Sequence, residues 1–214
     1  MGFYRRRVLP RLLHLAMGHP DLRAYRARVV PAARGRVLEV GVGSGLNLPF
    51  YGRGVTGLVG LDPSPELLRL AGPGARSAPF PVDLVEGSAE GLPCGDASFD
   101  TVVTTWTLCS VRDPGLALRE MRRVLRPGGE LLFVEHGLAP DRGVAAWQRR
   151  LTPLWKWIGG GCHLDRDIAG LVRFAGWDLP GLDTGYMRGP RPFTFMYEGR
   201  AGMSGRQGRG PAGP

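Results

Sequence analysis

Short apolar runs alternate along the chain with stretches whose apolar residues recur every three or four positions, the rhythm of strands followed by helices. The apolar residues Val37, Leu38 and Val40 enter a tight turn with glycines at 41, 43 and 45. A short helix leads from that turn to a second run, Gly57 to Leu61, which ends in the acid Asp62. Pro63, Ser64 and Pro65 start a helix that reaches about Ala71, and residues 72–81 read as a Gly/Pro-rich loop. Further strands are expected over residues 82–85, 101–105 and 130–134, with an amphipathic helix over 116–125 and a turn at 126–129. Phe193 to Tyr197 reads as a last strand. Strands separated by helices predict an α/β domain around a parallel sheet.

Two helices precede this core. Over residues 3–17, Tyr4, Val8, Leu12 and Leu15 or Ala16 share one face, and Pro10 limits or kinks the helix. A second helix, 22–30, stops at Pro31. The expected division is a basic helical extension (1–36), a core domain (37–200) and a disordered Gly/Pro/Arg-rich tail (201–214).

The glycine turn carries the first chemistry. Glycines let backbone turn sharply and approach a ligand closely, and an acid at the end of the next strand accepts hydrogen bonds from two ribose hydroxyls. Glycines 41, 43 and 45 with Asp62 therefore point to a nucleoside-bearing cofactor. A dinucleotide fingerprint would put its third glycine at position 46, which is Leu46, so a nicotinamide cofactor is disfavoured.

Composition changes the picture in two places. The net charge of +9 is concentrated in residues 1–36, where nine arginines face the single acid Asp21. That bunching suits an anionic membrane surface met through residues 1–30, or a solvated face. No RNA-binding pattern accompanies it, so no nucleic-acid partner is expected. The three cysteines, Cys94, Cys109 and Cys162, are too few and too scattered for a disulfide framework or a zinc site, and no metal is expected. With no apolar run approaching the roughly 20 residues that span a bilayer, the expected location is cytoplasmic, peripheral to membrane at most.

The order of Glu39, the glycine turn, Asp62, the segment Glu86–Pro93 and the run Met121–Glu130 resembles the class I S-adenosylmethionine (SAM) methyltransferases over residues 35–135. The stretches 105–111, 134–136 and 153–162, with Trp147 and Gln148, resemble the methyltransferase-like seven group, whose members methylate alkyl thiols and sit on lipid membranes. The run at 121–130 is also shared with quinone-biosynthesis methyltransferases. Where the methyltransferase-like seven group begins with a hydrophobic anchor, this chain begins with the arginine-rich helix.

The resemblance implies a Rossmann-like seven-stranded, mostly parallel sheet with helices on both faces and an antiparallel last strand. It implies SAM as cofactor, S-adenosylhomocysteine as product and a small-molecule acceptor, with residues 136–175 as a covering insertion. Cofactor contacts would come from Glu39, Gly41, Gly43, Gly45, Asn47, Asp62, Pro63, Ser88, Ala89, Glu90 and Thr105, although many relatives carry Asp where this chain has Ser88. Trp106, Trp147 and Trp155 suit an apolar acceptor pocket; Trp155 and Trp157, two apart, point opposite ways on a helix, so one belongs to the core.

A thiol acceptor needs a base, and His136, after the fifth strand, or His163, in the covering region, are the expected histidines, against a capping role for either. The favoured function is methyl transfer to a small apolar acceptor, a thiol first. Methylation of phospholipid or quinone precursors at a membrane is the alternative, and a non-catalytic SAM-binding module is the alternative of another class.

Overall fold

The computed structural model describes residues 8–203. A seven-stranded sheet forms the centre: β1 (Gly35–Val40), β2 (Val55–Asp62), β3 (Val82–Glu86), β4 (Phe99–Thr105), β5 (Leu125–His136), β6 (Trp177–Tyr186) and β7 (Phe195–Met203), in the order β3-β2-β1-β4-β5-β7-β6. β7 runs antiparallel to both β5 and β6, and every other pairing is parallel. This is the expected Rossmann-like sheet. The order reverses between β1 and β4, where ligands bind in open α/β sheets.

Helices α1 (Leu9–Met17), α2 (Pro20–Val29), α3 (Pro65–Ser77), α4 (Pro114–Val124), α5 (Arg142–Ile158) and α6 (Ile168–Phe174) surround the sheet. Side-chain caps fix several starts: Ser64 accepts from the Leu67 amide at 3.3 Å, Asp113 from Leu116 at 2.9 Å and Asp167 from Gly170 at 2.9 Å. The central strands bury Val37, Leu38, Val40, Val102, Val103, Leu131, Leu132 and Phe133, a double-sided burial that explains their near-continuous apolar runs. One core cluster gathers Leu118, Met121 and Val172, the other Leu48, Tyr51, Leu58 and Phe80.

Several expectations need correction. The Gly/Pro-rich stretch expected as a loop from residue 72 is helical through Ser77, with Pro73 inside α3. Ala71 is buried and Ala75 packs on the core, so tertiary packing overrides a poor local propensity. β6 was hidden by Pro180 and its glycines; its pairing with β7 shifts register between Asp178 and Gly181, at the sheet edge. Residues 201–203, expected as the start of a disordered tail, are the end of β7, where Ala201 pairs with Leu131 and is buried. The rest of that tail, like Tyr4 and the arginines at 5–7, lies outside the described residues.

Pro10 sits in the first turn of α1, where its missing N–H leaves no bond unmade, so it limits the helix and does not kink it. The shared face of Leu12 and Leu15 points outward, Leu15 being 72% exposed, while Leu9, Pro10, Leu13, His14 and Met17 turn toward the site. Among the described residues no helix is long and apolar enough to cross a membrane.

Candidate functional site

The carboxyl ends of β1, β2 and β4 open into a cavity of about 520 Å³. Its floor is the glycine turn. Gly41, Gly43 and Gly45 all have positive φ (77°, 55° and 78°). A side chain at Gly41 would land on Thr107, whereas at Gly43 nothing lies closer than the Gly41 carbonyl at 4.0 Å. Gly43 therefore keeps open a cradle that a Cβ would begin to fill. Gly45 departs from expectation: it packs on Leu48 and Ala71, outside the cavity lining, and its part is structural.

Asp62 ends β2 and faces the cavity. Its Oδ2 accepts from the Gly43 amide at 3.0 Å and its Oδ1 from the Ser64 amide at 2.8 Å. Each oxygen retains a lone pair, an arrangement that suits a ribose diol. Burial pushes its carboxyl above the ordinary value, against the pull of those two amides. Glu39 lies one strand away, fully buried, accepting from Asn47 Nδ2 at 2.8 Å and Tyr51 Oη at 2.8 Å. Burial raises it to about 7. Asn47 Nδ2 also donates to Thr105 Oγ1 at 3.0 Å, while Asn47 Oδ1 is buried beside the cavity with no partner among the described residues.

Pro63, Ser88, Ala89 and Glu90 line the side wall. The Glu90 carboxylate is turned away from a ligand: Oε1 accepts from the amides of Arg112 (2.8 Å) and Asp113 (3.3 Å), and Oε2 bonds the Ser88 hydroxyl. Its effect is to hold the wall in place.

Trp106, just past β4, lines the cavity with φ of 50°, a left-handed conformation costing about 1–2 kcal/mol for a non-glycine residue. Its amide donates to the Val134 carbonyl at 2.7 Å. The next turn is held by Glu135, buried at the end of β5, which accepts from the amides of Thr107 (2.8 Å), Leu108 (2.8 Å) and Cys109 (3.3 Å). Over the Trp106 ring, at 4.6 Å, lies the guanidinium of Arg26. Arg26 is buried, donates to the Met17 carbonyl at 2.9 Å, has no partner for Nε among the described residues, and is lowered to about 10 by burial. The roof is α1 with Gly159 and Gly160 from the end of α5. His14 reaches down from α1 to place Nδ1 2.7 Å from Ser44 Oγ in the glycine turn.

Sequence reasoning missed Arg26, His14 and Glu135; only the fold brings them to Trp106, Ser44 and the turn after β4. It also misplaced others. Neither Trp147 nor Trp155 lines the cavity: Trp147 is 56% exposed and Trp155 packs against the Phe193 ring, tilted by 52° at 4.7 Å. The split expected of Trp155 and Trp157 is present: Trp155 packs and Trp157 is 71% exposed. His136 and His163 also lie outside the cavity lining. His163 faces Asp165 at 3.8 Å, and its amide donates to the Cys109 carbonyl. His136 is buried with Nε2 3.3 Å from Cys162 Sγ, and Cys162 Sγ is 3.7 Å from Cys109 Sγ. Cysteines judged too scattered along the chain thus meet in space.

Comparison with known proteins adds to this geometry. The family described as a methyltransferase domain matches residues 38–133. The thiol S-methyltransferase TMT1B of Rattus norvegicus is 40% identical over 135 residues, 61% of this chain and 55% of that protein. The chain thus spans little more than half that relative's length. The phosphatidylethanolamine N-methyltransferase of Cereibacter sphaeroides is 39% identical over 140 residues, 64% of this chain and 68% of that protein. A SAM-dependent methyltransferase structure from Thermotoga maritima superposes with a TM-score of 0.66 at 23% identity, over 92% of this chain and 96% of that one. At that identity the likeness is one of fold.

Proposed function

We propose, for a chain that belongs to the class I SAM-dependent methyltransferases, that it binds SAM in this cavity and moves the methyl group onto a small apolar thiol. The observation that carries the reading is an apolar acceptor space, formed by Leu9, Leu13, Met17, Trp106 and Val111, with His14 as the histidine in its lining.

The residues present fit the cofactor. Asp62 offers two acceptor oxygens for ribose, Gly43 leaves room for the ligand, and Ser88 and Ala89 supply a wall for the base. Arg26, whose Nε has no partner among the described residues, offers a cation for the amino-acid carboxylate. When bound, SAM supplies a methyl group already electrophilic on a sulfonium. The chain then has three tasks. Trp106, Leu13 and Met17 exclude water and hold the acceptor sulfur in line. Ser44 fixes the His14 ring, so that with Nδ1–H donating to Ser44 Oγ, Nε2 carries the lone pair that takes the thiol proton. Held by Asp62, the Gly43 cradle and Arg26, SAM would supply its methyl group to the acceptor sulfur and be left as the neutral thioether, while His14 would keep the thiol proton.

A specific observation favours a second reading, lipid or quinone methylation at an anionic membrane. Leu12 and Leu15 on α1 and Leu154, Trp157 and Ile158 on α5 are exposed. Gly160 abuts Leu9 and Leu13, so the two helix ends meet at the roof. Arg11, Arg149, Arg150 and Lys156 are exposed around them, the composition of a surface that dips into an anionic interface.

One assay separates the readings: S-adenosylhomocysteine release with alkyl thiols, phenols, quinone precursors or phosphatidylethanolamine vesicles. Turnover on thiols, about a hundredfold lower in His14→Ala, supports the first. Turnover that requires vesicles and falls with salt moves the assignment to the second. SAM binding with no turnover on any acceptor leaves a cofactor-binding module.

A further inference from the structure

We infer that Cys109, His136 and Cys162 form a binding site for a soft metal ion of the zinc class, which fastens the roof of the cavity to its wall. The three residues arrive from separate places: Cys109 in the turn after β4, His136 at the last position of β5, and Cys162 beyond the end of α5. Their ligand atoms all lie within 4.8 Å of one another. The two sulfurs are 3.7 Å apart, and Cys162 Sγ is 3.3 Å from His136 Nε2.

The two shorter spacings suit three positions of a tetrahedral site, with the fourth left to a solvent molecule. Zn–S bonds near 2.3 Å and Zn–N bonds near 2.0 Å separate two ligand sulfurs by about 3.8 Å, and sulfur from nitrogen by about 3.5 Å. A disulfide would need its sulfurs at about 2.05 Å. Two thiolates and an imidazole are the donor set that selects zinc or copper(I) over the hard, oxygen-seeking cations.

The scaffold is already built. Glu135 holds the Cys109 amide from below, and the His163 amide donates to the Cys109 carbonyl at 2.8 Å. His136 Nε2 faces Cys162 Sγ, while its Nδ1 is buried with no hydrogen-bond partner among the described residues. Gly159 and Gly160, which line the cavity, lie within three residues of Cys162. Ser110, whose hydroxyl is 3.5 Å from Cys109 Sγ, lines it from the other side. An ion held here ties both sides together without entering the acceptor space.

The test uses the reduced full chain, stripped with a chelator and titrated with zinc alone against a chromophoric competitor, then with cobalt(II). The site predicts one equivalent bound, thiolate-to-cobalt charge-transfer absorption with a tetrahedral ligand-field band, and a rise in Tm on adding zinc. Cys162→Ser, at a half-buried position, should weaken zinc at least a hundredfold and abolish the charge-transfer band, and Cys109→Ser should do the same. Cys94→Ser, remote from the cluster, should leave both unchanged. Absence of stoichiometric zinc binding, or binding that survives both Cys109→Ser and Cys162→Ser, overturns the proposal. So does recovery of the protein under reducing conditions with Cys109 and Cys162 joined in a disulfide.

Discussion

The floor and the roof of the cavity are built by different means. The floor joins neighbours in sequence: the glycine turn sits between β1 and β2, and Asp62 reaches back nineteen residues to the Gly43 amide. Its polar groups are buried and mutually bonded, as Glu39 is with Asn47 and Tyr51. The roof joins residues far apart, His14 to Ser44 and Gly160 to Leu9 and Leu13, through one hydrogen bond and apolar contact. Such a difference suits a rigid cradle for an invariant cofactor under a cover adapted to its acceptor. It also predicts that floor substitutions act on cofactor affinity and roof substitutions on turnover.

The largest effect should come from Gly41→Ala. A Cβ there lands on the Thr107 side chain at a φ of 77°, so the turn must move or the chain must strain. SAM affinity should fall more than a hundredfold by calorimetry, with a lower Tm. Near-native affinity would mean that the turn is not the cradle.

Asp62→Ala comes next. It removes charge-assisted hydrogen bonds worth about 1.5–3 kcal/mol, so SAM should bind at least tenfold more weakly. Unchanged affinity would refute the assignment of Asp62 to ribose.

Glu39 sharpens the comparison through pH. Its proton is held to about 7 in the folded chain against an ordinary value of 4.5. Between those values the folded state binds more protons than the unfolded, so stability falls as pH rises through that window and the loss is complete above about 7. Up to about 3 kcal/mol is at stake, and Glu39→Gln should remove most of the difference in urea-unfolding free energy between pH 5 and pH 8. An equal fall in both proteins would assign it to other groups.

The smallest effect is at the rim. Trp157→Ala, on an exposed side chain, should leave thiol turnover within about twofold while reducing sedimentation with anionic vesicles. Unchanged sedimentation would detach this face from the membrane reading.

Legibility follows the same division. Gly41, Gly43 and Asp62 were readable because a strand, a turn and a strand lie consecutively in the chain, whereas Glu39, Asn47, Pro63, Ser88, Ala89 and Thr105 came from the family resemblance; the structure sets each at or beside the cavity. The parallel sheet was readable from apolar runs buried on both faces. Histidine roles were not. His136 and His163 follow the expected end of a strand and the covering segment, yet neither lines the cavity: one faces Cys162 and the other Asp165. His14 gains its place only because α1 folds across the sheet. The outward face of Leu12 and Leu15 deceived for the same reason: periodicity reveals that a helix has an apolar face, not which face meets the core. β6 was masked because an edge strand needs fewer apolar residues and tolerates Pro180.

The most direct measurement sets Asp62→Ala and His14→Ala side by side, each assayed for SAM affinity by calorimetry and for S-methylation of an alkyl thiol by mass spectrometry. The account predicts that Asp62→Ala loses affinity at least tenfold, whereas His14→Ala keeps it within about twofold and loses turnover about a hundredfold at saturating SAM. If His14→Ala instead weakens SAM as much as Asp62→Ala does, or leaves thiol turnover intact, the division between a cofactor-binding floor and a reacting roof is wrong.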